Sequence, residues 1–85
     1  MKIHKSAIMA LDVVHGVIFT GSTDSSIKVW TFTHSDTVQL TQVGQFFSPS
    51  PVTSLKAMSS VRKDGSILLL AGDQLGNIHQ LIWRS

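Results

Sequence analysis

The 85-residue chain contains no cysteine and no glutamate. Without thiols, disulfides and thiolate metal sites are excluded, and the redox compartment stays open. All five acidic residues are Asp; Asp favours turns where Glu favours helices, so this bias predicts a turn-rich chain. Charge is also scarce, at 14% of residues with a formal net charge of +2. The basic residues are dispersed, and Arg62-Lys63 is the only doublet. Nucleic-acid binding usually needs a denser basic stripe, which argues against that class. The four histidines (His4, His15, His34 and His79) lie far apart in sequence, with no ligand spacing among them. No metal site and no cofactor are expected.

Long hydrophobic runs are missing too. The strongest, residues 67–71, is strand-sized and far below the ~20 apolar residues needed to span a bilayer. The start "MKIHKSAIMALDVVHGVIF" has the basic beginning of a secretory signal, but Asp12 and His15 interrupt its apolar stretch and no clean cleavage site follows. The chain is therefore expected to be a soluble, intracellular protein, cytoplasmic or nuclear, with no membrane partner.

What is present is a series of short apolar runs separated by Gly, Ser, Asp and Pro. Strands are predicted over residues 7–13, 17–22, 26–32, 38–46, 52–58, 67–71 and 77–83. His15-Gly16, Thr23-Asp24-Ser25, Pro49-Ser50-Pro51, Lys63-Asp64-Gly65 and Leu75-Gly76-Asn77 are among the turn signals between them. Many short strands with small polar turns indicate an all-β protein. No stretch carries sustained helical periodicity with caps.

The two halves are self-similar. Ile8 and Leu11 match Val52 and Leu55 at an offset of 44, while Gly21 and Ile27 match Gly72 and Ile78 at an offset of 51. The difference falls in a polar loop of the second copy, where insertions are tolerated. A repeat of this length means a solenoid or a propeller, and four strands per repeat favour the propeller. The runs 17–19 and 67–70 are apolar on both faces, as strands sandwiched between neighbouring sheets should be.

The stretch "GSTDSSIKVW", residues 21–30, resembles the strand-turn-strand core of a WD40 repeat, and "HKSAIMAL" resembles the opening His-x-x-x-Val-x-x-Leu pattern of that family. The resemblance implies two antiparallel blades of a WD40-type β-propeller, a near-consensus one over residues 1–47 and a degenerate one over 48–85, with the last outer strand missing. It also implies a hydrogen-bonded set of His4, Thr20, Asp24 and Trp30 that staples the turn of the first blade. The first copy departs from the pattern in carrying Ile3 where a Gly is usual and Thr31 where an Asp is usual. In the second, Ala71, Leu75 and Leu81 fall at the hydroxyl, Asp and Trp positions, and its polar set is expected to be lost.

A His, a Thr hydroxyl and an Asp also invite a catalytic reading, but there is no glycine-flanked nucleophile elbow and no evident oxyanion donor cluster. The residues already have a structural task, so no catalytic residues and no enzyme activity are expected. "KDG" at 63–65 is a turn signal, because no further acids follow at the alternate positions of a calcium loop.

By the resemblance, the function is a non-catalytic protein-interaction scaffold, part of a larger WD40 propeller serving as a platform in a multiprotein complex. The partner-facing residues it implies are Ala7, Met9 and Thr23 in the first copy and Pro51, Thr53 and Gln74 in the second. The alternative is an architectural, ring-closing segment that assists nucleic-acid-associated machinery through a basic loop containing Lys56, Arg62 and Lys63. Two repeats leave two apolar sheet faces bare, so the chain is expected to depend on other blades, whether of the same longer protein, of other copies or of another subunit.

Overall fold

A computed structural model describes residues 6–34, 38–59 and 65–84. Among the described residues every regular element is a strand: β1 (Ile8–Val14), β2 (Val17–Ser22), β3 (Ser26–His34), β4 (Val38–Phe47), β5 (Val52–Ser59), β6 (Ile67–Asp73) and β7 (Ile78–Trp83). They form two antiparallel sheets, β1-β2-β3-β4 and β5-β6-β7, in which chain order and spatial order coincide. These are two blades of the propeller type that the repeat predicts. No helix among the described residues is long and apolar enough to cross a membrane. β3 and β6 each run two residues beyond the expected spans, β6 because Gly72 and Asp73 still pair with Ile78 and Val52.

Local sequence explains the turns. His15 (φ 50°) and Gly16 (φ 74°) form the two-residue link between the paired residues Val14 and Val17. Positive φ at both central positions is the hairpin geometry whose twist matches that of the flanking strands. The β2–β3 and β6–β7 turns place Ser25 (φ 69°) and Gly76 (φ 86°) at equivalent left-handed positions.

The repeat holds at the level of register. Ile8 pairs with Ser22 and Val52 with Asp73, which reproduces the two offsets, and a bulge follows at the same place in both inner strands, at Met9 and at Thr53. A bulge adds one residue without a partner and shifts the alternation of side chains. Val52 and Leu55, three apart in sequence, thereby lie on the same face, and both touch the space above Gly21.

The two sheets stack face to face in a slab of 40 × 34 × 14 Å. Phe19, Ile27 and Val29 from the first sheet meet Val52, Ala57, Ile67, Leu69 and Ala71 from the second. Full burial of a Phe, Leu or Val side chain contributes roughly 1.5–3 kcal/mol. Glycine sets the spacing at two points: a Cβ on Gly21 would stand 2.6 Å from Val52 Cγ1, and one on Gly44 would collide with the ring of Trp83. Trp83 also meets Phe46 edge-on, with centroids 6.3 Å apart.

The outward faces remain apolar. Leu11 is 60% exposed and Val13 49% on the first sheet, and Ile78 is 77% exposed on the second.

Candidate interaction site

The two blades present the same end to solvent: the bulged start of the inner strand beside the turn that follows the second strand. In the first blade Thr23 N donates to Ala7 O at 3.2 Å, and in the second Gln74 N donates to Pro51 O at 2.9 Å. Ala7 and Thr23 are thus brought together, and so are Pro51 and Gln74. Met9 and Thr53 occupy the bulges, and Thr53 Oγ1 donates to Gly72 O at 3.3 Å. Of the six residues Pro51 is half-buried and the other five are exposed. They form two equivalent small, neutral patches.

Beneath this surface, each turn is fixed by its own side chains. Ser22 Oγ donates to Ala7 O (3.0 Å) and accepts from Asp24 N (3.2 Å). Asp24 Oδ1 accepts from Ser26 N (2.9 Å) and from the Ser26 hydroxyl. Farther into the blade, Trp30 Nε1 donates to Thr20 Oγ1 at 3.1 Å, with both residues buried. Thr20 pairs with Lys28, so Trp30 is its diagonal neighbour and the long indole spans the gap. Of the four residues in the expected set, the structure brings Thr20 and Trp30 together and ties Asp24 into its own turn; His4 lies outside the described residues.

The second turn corrects one expectation. Its polar set is not lost but relocated. Leu75, at the position of Asp24, is 72% exposed. The carboxylate that does the work belongs to Asp73, two residues earlier, at the position of Ser22. Asp73 Oδ1 accepts from Leu75 N (2.9 Å) and Asn77 N (3.0 Å), the equivalents of the two N–H groups held by Ser22 and Asp24 in the first blade. Asp73 Oδ2 lies 2.7 Å from His79 Nε2, whose N–H donates to it because an ionised carboxylate only accepts. The His79 contact, opposed by burial and aided by the Asn77 and Leu75 N–H groups, holds the Asp73 carboxyl well below the usual carboxylate range. The buried Ser50 hydroxyl favours the charged form as well, from a position outside hydrogen-bond geometry. A carboxylate followed two and four residues later by Leu75 and Asn77 N–H groups is an Asx-type turn signature, and it was the signal available in "DQLGN".

Sequence reasoning also missed Asp12. One oxygen, Oδ1, accepts from Val13 N at 2.9 Å, and the other, Oδ2, from Ala57 N on β5 at 2.7 Å. Val13 and Ala57 are equivalent in the repeat, so one carboxylate bridges the same N–H group of two successive inner strands. The Ala57 N–H is the main cause of a lowered Asp12 pKa; burial opposes it, and the Val13 N–H and the charge of Lys56 add to it. Nothing in sequence distinguishes this Asp from one that merely interrupts an apolar run.

The basic loop needs correction in part. Lys56 is not in a loop; it lies within β5, paired with Leu70 and exposed. Arg62 and Lys63 lie outside the described residues. Among the described residues, no three His, Asp or other ligand-type side chains gather into a metal-binding group.

The model of a TEP-1 C-terminal beta-propeller matches residues 4–83. The chain is also 32% identical over 82 residues to "Telomerase protein component 1" of Rattus norvegicus, and equally to that of Mus musculus. Each alignment takes in 96% of this chain but only 3% of the relative's length. No solved structure matches the chain.

Proposed function

Because this chain belongs to the TEP-1 C-terminal beta-propeller family, we propose that it supplies two blades of a larger propeller whose loop end is a non-catalytic, protein-binding scaffold of an intracellular complex. One observation carries the reading. In each blade polar side chains fix the turn after the second strand, and each turn holds up an equivalent patch: Ala7, Met9 and Thr23, then Pro51, Thr53 and Gln74. Conserving one construction twice, with different side chains doing it, favours the presented surface as the object of the design.

The patches are small and neutral, without the Trp, Tyr or Arg anchors of strong hot spots. They serve as one sector of a wider contact that further blades complete. The name of these relatives makes a telomerase assembly the first complex in which to look for the partner. The four polar groups of the first blade, His4, Thr20, Asp24 and Trp30, are structural in this reading, and none is a catalyst.

The test pairs binding with stability. Met9, Thr23, Thr53 and Gln74 are each replaced by Arg, and recovery of the chain with the telomerase assembly is compared with its melting temperature. Lost recovery at unchanged melting temperature supports the scaffold. Unchanged recovery for all four rejects it and leaves a purely architectural role.

A further inference from the structure

The link between the two sheets, "SPSP" at residues 48–51, holds the dipeptide Ser-Pro twice, at Ser48 and at Ser50. Phe47 is the last paired residue of β4 and Val52 the first of β5, so neither serine lies in a ladder. Serine followed directly by proline is the minimal acceptor sequence of proline-directed protein kinases. The cleft of such a kinase encloses the residue after the serine without offering its N–H an acceptor. Proline has no N–H to satisfy, whereas any other residue would leave one unpaired at about 1–3 kcal/mol.

The fold treats the two serines oppositely. Ser50 is 6% exposed, and its hydroxyl oxygen is buried near Asp73. Val52, two residues on, is fully buried, and Gln74 N fastens the intervening Pro51 O at 2.9 Å. Presenting Ser50 to a cleft would draw Val52 from the core, at roughly 1.5–3 kcal/mol, and break that bond as well. Ser48 instead stands half-buried between Phe47, which is 76% exposed, and Pro49, also exposed. Its N donates to Ser25 O at 2.8 Å. Its Oγ accepts from Ser50 N at a long 3.4 Å, a role that does not engage the hydroxyl proton. Releasing bonds of this kind costs only about 0.5–1.5 kcal/mol each.

We propose that Ser48 is a phosphorylation site for a proline-directed kinase, and that Ser50, in the same motif, is not. The phosphoryl donor is ATP. An O–P bond forms at Ser48 Oγ, the bond from the γ-phosphorus to its bridging oxygen breaks, ADP leaves, and the hydroxyl proton passes to the kinase's base. The product carries about −1.5 to −2 charges at pH 7. Pro51 lies three residues from Ser48, at most about 11 Å of chain, and Ser25, bonded to Ser48, is two residues from Thr23. These distances are comparable with the screening length of about 8 Å. Phosphorylation thus turns a neutral loop end acidic and favours a basic partner surface over an acidic one. That consequence rests on the propeller-scaffold reading, in which neighbouring blades cover sheet faces and leave the loop end open; the modification itself rests on the link alone.

The test incubates the 85-residue chain with ATP and a purified mitogen-activated protein kinase, and mass spectrometry locates the phosphate. It should be found on Ser48 and not on Ser50. Ser48→Ala and Pro49→Ala should each lose it, whereas Ser50→Ala should keep it. Pro49→Ala retains the hydroxyl and decides the matter if Ser48→Ala fails to fold. Absence of phosphate from the unchanged chain would overturn the proposal. So would phosphate on Ser50 at the level of Ser48, or labelling of Ser48 that survives Pro49→Ala. None of these outcomes involves a partner, so the scaffold reading stands or falls separately on the loop-end substitutions.

Discussion

Gly21→Ala is the sharpest probe of how the two sheets fit. The added Cβ would stand 2.6 Å from Val52 Cγ1 and 3.2 Å from both Val52 Cβ and Leu55 Cδ1. Ordinary carbon contacts are about 3.5–4.0 Å, so relief needs a shift of about 1 Å. Val52 cannot supply it by rotation alone, because its Cβ is itself too close and is fixed to the backbone of β5. The sheets must part, at about 1–3 kcal/mol for overpacking of this kind. In a domain of this size each kcal/mol lowers the melting temperature by about 4–8 °C, readable by calorimetry. Gly72→Ala is the internal control, since its Cβ meets only a serine hydroxyl that can rotate away; its cost should stay below about 0.5 kcal/mol, as at a surface site. Val52→Ala removes two methyl groups and costs roughly 2 kcal/mol alone, but it also vacates the space that Gly21→Ala needs. The double variant should therefore be more stable than the sum of the singles by about 0.5–3 kcal/mol. Strict additivity, or equal losses at Gly21 and Gly72, would refute the packing described for the junction.

Three further outcomes test the polar network. Thr20→Val leaves the Trp30 indole N–H buried without this acceptor and should cost about 1–3 kcal/mol by chemical denaturation, with no loss if the 3.1 Å bond is irrelevant. Asp12→Ala should cost about 1–2 kcal/mol by removing the acceptor of the Ala57 N–H, and Asp12→Asn, which keeps one acceptor oxygen, should lose less in the same denaturation assay. Asp73→Asn should lower the melting temperature at pH 7, and the gap from the unchanged chain should narrow as pH falls. The folded-state pKa of Asp73 is depressed, so its contribution is complete above the unfolded carboxylate value of about 3.9 and fades below it. A gap that stays constant between pH 6 and pH 2 would count against the buried carboxylate.

The fold was largely legible because its signals are local. His15-Gly16, Leu75-Gly76-Asn77 and the apolar runs between them say where strands begin and end, and the spacings Ile8 to Leu11 and Gly21 to Ile27, found again at Val52 to Leu55 and Gly72 to Ile78, say that they repeat. The polar sites were legible only where side chain and position agree. Thr20 and Trp30 sit where a blade places them, but Asp73 performs from the Ser22 position a task that its neighbour Leu75 was expected to have lost. Two arrangements cap the same pair of N–H groups, and a position-by-position comparison recognises only one of them. Asp12 was invisible for another reason: its main partner, Ala57 N, is a backbone atom 45 residues away, and backbone atoms leave no trace in a sequence.

The irregular residues Met9 and Thr53 carry a consequence of their own. Each acts as a half-step in the strand, so every side chain after it is out of phase with those before. Excising either residue should be mild, because Ile8 would still oppose Ser22 and Leu11 Thr20 in unbroken alternation, and Ile8 and Leu11, or Val52 and Leu55, would keep their shared side. Loss of one amino acid from the regularly paired part of either strand would instead be a frame error written in three dimensions, felt along the rest of the strand while the composition barely changes.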